Sequence, residues 1–152
     1  NNSALPAYDR HPTAQVDSIQ DQSILIDCGD ATQIQMSRYK VKRSKINHIF
    51  ISHLHGDHYF GLIGLISSMA LLNREQPLHL FAPPGLEEII SLQLKVASTT
   101  LPYELVFHPL NDEEVILDTP KFSIVPSFGV FGGFLLELKN GINEPVRNNV
   151  KP

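Results

Sequence analysis

The chain has 152 residues, 42% apolar and 18% charged, enough for one compact globular domain with a core of useful size. Twelve Lys and Arg against sixteen Asp and Glu give a net charge of -4, which argues against bulk electrostatic binding of nucleic acid and leaves room for a local patch. The single cysteine, Cys28, excludes an internal disulfide framework and a cysteine-based structural zinc site, and points to a reducing, cytoplasmic setting.

Taken in chain order, residues 1–18 read as loop, with Pro6 and Pro12 among turn formers. Residues 23–26 form a short buried strand that stops at Asp27-Cys28-Gly29-Asp30, where Asp30 is placed to cap a helix over 31–38. Residues 46–51 read as a strand buried on both faces, followed by a polar turn and a helix over 60–72. The apolar stretch 59–72 is shorter than the ~20 residues of a membrane span, so no membrane association is expected. The pattern repeats with a strand at 78–81, a break at Pro83-Pro84-Gly85, and a helix over 86–96 whose Leu86, Ile89, Ile90 and Leu94 share one face. Strands are expected at 103–107, 114–117, 122–125 and 134–138, then a polar tail over 140–152. Strand–turn–helix units giving way to short strands predict a layered α/β domain. No secretory leader opens the chain, and its first residue, Asn1, leaves room for a preceding piece.

The segment Ser52-His53-Leu54-His55-Gly56-Asp57-His58 packs four potential metal ligands into six residues at the end of a buried strand. His53 and His55 are two apart, so in extended chain their rings point the same way and can grip one ion. Gly56 allows a sharp turn, after which Asp57 and His58 face a second ion from the start of the next helix. Imidazole nitrogens with a carboxylate suit zinc ahead of manganese or iron. Without thiolates the set suits an open site that holds a reactive water better than a closed structural one. The competing reading is a solvated histidine-rich turn.

The same residues carry a family resemblance. His-x-His-x-Asp-His after an apolar strand resembles the signature of the metallo-β-lactamase fold, an αββα sandwich. The flanking stretches narrow the resemblance to ribonuclease Z, the tRNA 3'-processing endonuclease: Asp27-Cys28-Gly29-Asp30-Ala31-Thr32-Gln33, Phe50 through Leu62, and Leu80-Phe81-Ala82-Pro83-Pro84-Gly85-Leu86. The opening Asn2-Ser3-Ala4-Leu5-Pro6, with Arg10 and Pro12, resembles the family's first loop. The resemblance runs to about Leu138 and covers mainly the family's N-terminal half, giving an expected domain over 1–139. Family members add a strand before the first loop. They also carry a further ligand histidine, for which residues 126–134 offer no counterpart, and a bridging aspartate and last histidine from a C-terminal half.

That resemblance implies a zinc-dependent endoribonuclease that removes the 3' trailer of precursor tRNA through hydroxide attack on a phosphodiester, with two zinc ions per complete site. His53, His55, Asp57 and His58 are the implied metal ligands, and Asp57 also the proton acceptor beside the attacking water. Asp27 would orient the loop by hydrogen bonds from beneath, or serve simply as a turn aspartate. A homodimer is implied as well. Two alternatives stand beside this: another phosphodiesterase or sulfatase-like hydrolase on the same scaffold, and a non-catalytic binding module with an incomplete metal set.

Five of the twelve basic residues fall within 38–45, with no acid among them. Arg38, Lys42, Arg43 and Lys45 are candidate contacts to tRNA phosphates; the competing reading is a solvated helix end where cations suit the dipole. Of the other histidines, His79 reads as a surface position, while His11, His48 and His108 take ordinary structural or solvent-facing roles. Cys28, with no basic neighbour, reads as a small buried hydrophobe.

Overall fold

The structure, a computed structural model, describes residues 14–19, 21–110, 117–119, 122–127, 133–138 and 142–145. The chain divides into two compact units, residues 1–109 and 110–152.

The first unit is built on a five-stranded sheet in the order β1-β2-β3-β4-β5: Gln15–Ile19, Gln22–Ile26, Ile46–Phe50, Leu78–Ala82 and Leu105–Pro109. β1 and β2 form an antiparallel hairpin, and β2 through β5 run parallel. Parallel neighbours require crossovers, which are right-handed and so place their helices on one face of a sheet that grows in one direction. The helices are α1 (Thr32–Arg38), α2 (Gly56–Tyr59) with α3 (Leu62–Leu71), and α4 (Leu86–Val96). Met36 from α1, Leu62, Leu65, Ile66 and Met69 from α3, and Leu86 and Ile90 from α4 meet Leu25, Ile49, Leu78 and Leu80 of the sheet in one buried cluster. Arg74, itself buried, stitches the strand starts together. Its guanidinium donates to the Ile46 and Pro77 carbonyls at 2.9 and 2.7 Å and to Asn47 Oδ1 at 2.8 Å. The second unit is a four-stranded antiparallel sheet, β6 (Leu117–Asp118), β7 (Phe122–Ser127), β8 (Gly133–Leu138) and β9 (Ile142–Pro145).

Several expectations need correction. Residues 15–18, read as loop, belong to β1, where Val16 packs against the core and Gln15–Ile19 pairs along all of β2. The Asp30 cap does not form across the helix start: Ala31 precedes α1 in a left-handed conformation, with φ of 62°, and Asp30 Oδ1 accepts from the Ala31 amide at 2.9 Å. The helix expected over 60–72 is found as α3, and the polar turn expected before it holds the short helix α2. β9 falls within the stretch expected to be a polar tail, hydrogen-bonded to β8. The strand expected at 114–117 lies outside the described residues except for Leu117, and residues 128–132, in the region compared for a further histidine, are also outside them. No described helix is long and apolar enough to cross a membrane.

Candidate metal centre

The ligand loop begins where β3 ends. Asp27 lies just past β2 with φ of 58°, a left-handed turn that aspartate tolerates, and its amide donates to the Phe50 carbonyl at 2.7 Å. That turn sends its carboxylate under the loop, where it is 1% exposed. Asp27 Oδ1 accepts from the Ser52 amide at 2.8 Å and from Ser52 Oγ at 2.9 Å. Asp27 Oδ2 lies 2.8 Å from His58 Nδ1. The one carboxylate thus touches both Ser52, ahead of the first histidine, and His58, the last.

A backbone seam reinforces this contact. The Cys28 amide donates to the His58 carbonyl at 2.7 Å, and the Gly61 amide donates to the Cys28 carbonyl at 2.9 Å. Gly61 is dictated by the closeness of the two segments, since a β-carbon there would collide with the Gly29 carbonyl oxygen. Gly56 does not have positive φ, and it is the space a side chain would take that matters there. Its missing side chain makes room for the ring of Phe60 one helical turn on.

His53, His55, Asp57 and His58 are gathered at the strand tip, His55 most exposed and the others half-buried. The His53 and His58 rings are closest, with centroids 3.7 Å apart, and His55 meets His53 edge-on at 4.8 Å. His58 Nε2 faces Asp57 Oδ2 at 3.5 Å. Among the described residues no three such side chains converge on one ion position; the expected division, two per ion, asks for pairs. The donor chemistry fits a divalent cation in one further respect. With its Nδ1 held by Asp27, His58 has Nε2 to offer, the arrangement typical of metal-binding histidines.

Electrostatics separate these two half-buried imidazoles. Burial lowers the His53 pKa, aided by the neighbouring His58. Burial would lower His58 too, but the hydrogen bond and charge of Asp27, with Asp57 behind them, raise it on balance. Cys28 is fully buried and its thiol is pushed up to about 12 by that burial, which makes it the inert hydrophobe its surroundings suggested.

Ser52 is the functional residue that sequence reasoning passed over. Its hydroxyl touches Asp27, His53 Nδ1 at 3.0 Å and His58 Nδ1 at 3.2 Å, and its one signal was its place beside the first histidine. The basic candidates do not join the ligand loop. Arg38, Lys42 and Lys45 are exposed where α1 leads into β3, and Arg43 is half-buried, donating to the Gln33 carbonyl at 3.1 Å and Ser37 Oγ at 2.9 Å. A cavity of about 200 Å³ lined by Ala82, Pro83, Gly85, Glu87, Glu88 and His108 lies at the start of α4 and includes none of the four ligand candidates.

The fold and the loop define a class, the metallo-β-lactamase fold. The structure superimposes on the metallo-β-lactamase fold protein YhfI from Bacillus subtilis with TM-score 0.62 at 17% identity, covering 87% of this chain and 52% of that one. The family model described as anti-Pycsar protein Apyc1 matches residues 9–110, two thirds of the sequence, and the chain belongs to that family. It is also similar to ribonuclease Z. The Bacteroides thetaiotaomicron ribonuclease Z is 40% identical over 158 aligned positions, covering 97% of this chain and 49% of the relative. Human tRNase Z, short form, superimposes with TM-score 0.79 at 28% identity, covering 89% of this chain and 61% of that one. The chain thus spans about half the length of the curated relative.

Proposed function

We propose that this chain supplies the metal-binding half-site of a ribonuclease Z-type endoribonuclease that cuts the 3' trailer from precursor tRNA and leaves a 3'-hydroxyl. The observation that carries the reading is the strand-tip cluster of His53, His55, Asp57 and His58, braced from below by Asp27. The similarity to ribonuclease Z across nearly the whole chain supports the substrate. His53 with His55, and Asp57 with His58, would hold two zinc ions. Zinc, when bound, lowers the pKa of a water towards 7 and offsets the charge of the phosphoryl oxygens. Asp57 then holds the proton taken from the attacking water. Asp27 keeps the His58 ring from turning, and half-burial of the loop limits competing solvent.

A homodimer and a cytoplasmic setting belong to the same reading. Leu71 and Leu72, at 83% and 62% exposure at the end of α3, offer apolar surface for a second copy, and a lone buried thiol suits a reducing compartment. A second reading, another hydrolase on the same scaffold, is kept because the matching family model carries a description other than ribonuclease Z.

Cleavage of a trailer-bearing precursor tRNA separates the two. The protein should cut at the trailer junction, lose activity to a chelator, regain it with zinc, and fall by at least about 100-fold on Asp57→Ala. Robust cutting by the Asp57→Ala protein would overturn the mechanism. Hydrolysis of small phosphate esters without cutting of precursor tRNA would favour the second reading.

A further inference from the structure

Ser52 Oγ sits among three polar partners. It lies 2.9 and 3.0 Å from the two oxygens of Asp27, 3.0 Å from His53 Nδ1 and 3.2 Å from His58 Nδ1. A hydroxyl has one proton to donate and two lone pairs that accept. Were that proton given to either imidazole, a serine lone pair would face the buried carboxylate at hydrogen-bond distance with no hydrogen between them. The proton therefore goes to Asp27, and the serine oxygen can only accept from His53, whose Nδ1 must then carry a hydrogen. His58 Nδ1, at 2.8 Å from Asp27 Oδ2, must carry one for the same reason.

We propose that Ser52 is a positioning residue that sets the tautomer of His53: a relay from His53 Nδ1–H to the Ser52 hydroxyl to Asp27, joined there by His58 Nδ1–H, leaves both Nε2 lone pairs for a divalent cation. One buried carboxylate thereby governs two ligands, the first directly and the second through a hydroxyl. The tautomer fixed on His53 is the less populated one of a free neutral imidazole, so without Ser52 part of the binding energy would go into moving the proton. The inference concerns the metal site of the proposed function and rests on that reading for its purpose, though not for its geometry.

The test uses metal-free protein with nitrogen-15-labelled histidine. Long-range proton–nitrogen correlation reads which ring nitrogen bears hydrogen, and competition with a chromogenic chelator reads zinc affinity. In the wild type both His53 and His58 should be Nδ1–H tautomers. In Ser52→Ala, His53 should shift towards Nε2–H while His58 stays unchanged, and zinc affinity should drop about 10-fold or more. Ser52→Thr, which keeps the hydroxyl, should restore both and serves as the folding control. A wild-type His53 protonated on Nε2, or a Ser52→Ala protein with unaltered tautomer and affinity, would overturn the relay even if precursor tRNA is cut. Tautomers as stated in a wild type that takes up no zinc would uphold the relay and overturn the metal reading.

Discussion

At Gly61 the loop after β2 and the turn into α3 approach so closely that a single added methyl decides whether they touch. In Gly61→Ala the new carbon meets the Gly29 and Cys28 carbonyls, which are backbone and cannot step aside alone. Separating them breaks the bonds of Gly61 to Cys28 and of Cys28 to His58, the seam that sets Asp27 against His58. Overpacking of this sort costs about 1–3 kcal/mol, so the substitution should lower the melting temperature by several degrees and weaken zinc binding together. Gly56→Ala is the contrast. The atoms nearest its methyl all belong to the Phe60 ring, which is 64% exposed and free to swing out, so stability should change little. Paired thermal unfolding curves check both, and equal losses would contradict the argument. At this scale the ligand quartet was legible because four donors within six residues at a strand tip must lie near one another, whereas Asp27 was picked out through the family resemblance and its place at the end of an apolar run. Ser52 was not, since a serine's role depends on partners 25 residues earlier and six later that meet only once β2 and β3 pair.

Among the elements, β3, β4 and β5 each bring a histidine to the same layer: His48 stacks on His79 with centroids 5.3 Å apart, and His79 Nδ1 lies 2.9 Å from His108 Nε2. His79, expected at the surface, is half-buried by this arrangement. Single-strand reading could not foresee it, because alternation assigns a face and not the neighbour across the ladder. His48 Nδ1 is buried without a hydrogen-bond partner among the described residues. Burial, then the charges of His79, His108 and Arg74, push its pKa down to about 4. The unfolded chain, with the ordinary value near 6.5, binds the proton more readily. Stability is therefore full above about pH 6.5 and is lost as pH falls from there towards 4. His108, lowered by burial and His79, acts in the same direction. His48→Leu removes the largest resolved shift among these histidines, so its denaturant midpoint should fall less between pH 6.5 and 4 than that of the wild type. At about pH 7.5 the two should lie close together. Parallel profiles across that range would show that His48 does not carry the acid sensitivity. The hairpin strand β1 was missed for a related reason: its apolar residues are sparse, and pairing with β2 along its full length supplies what propensity does not.

Across the whole molecule, the parallel sheet was readable from recurring strand–turn–helix units, whereas the boundary at 109/110 was not. No composition shift marks it, because the change there is from parallel to antiparallel pairing and only the ladder partners reveal that. The sheet also sets the geometry of charge. Residues 38–45 sit where β3 begins and the ligand loop where it ends, about 17 Å away for a five-residue strand at roughly 3.3 Å per residue. Cations at that remove can hold phosphates of a long polyanion without touching the bond that is cut. In this arrangement Arg43 ties the turn to α1 through Gln33 and Ser37, while Lys40, Lys42 and Lys45 are exposed. Neutralising those three lysines to glutamine should therefore raise KM for precursor tRNA and leave kcat intact. The slope of log affinity against log salt should flatten by roughly 0.7–0.9 for each phosphate no longer neutralised, hence by about 2–3 if all three lysines engage. Lys95→Gln, on the exposed side of α4, controls for losing a surface lysine away from the patch and should leave the slope unchanged. Arg43→Gln should instead lower stability, because its loss frees the α1 end. An unaltered salt slope in the triple variant would mean that the patch is solvated surface.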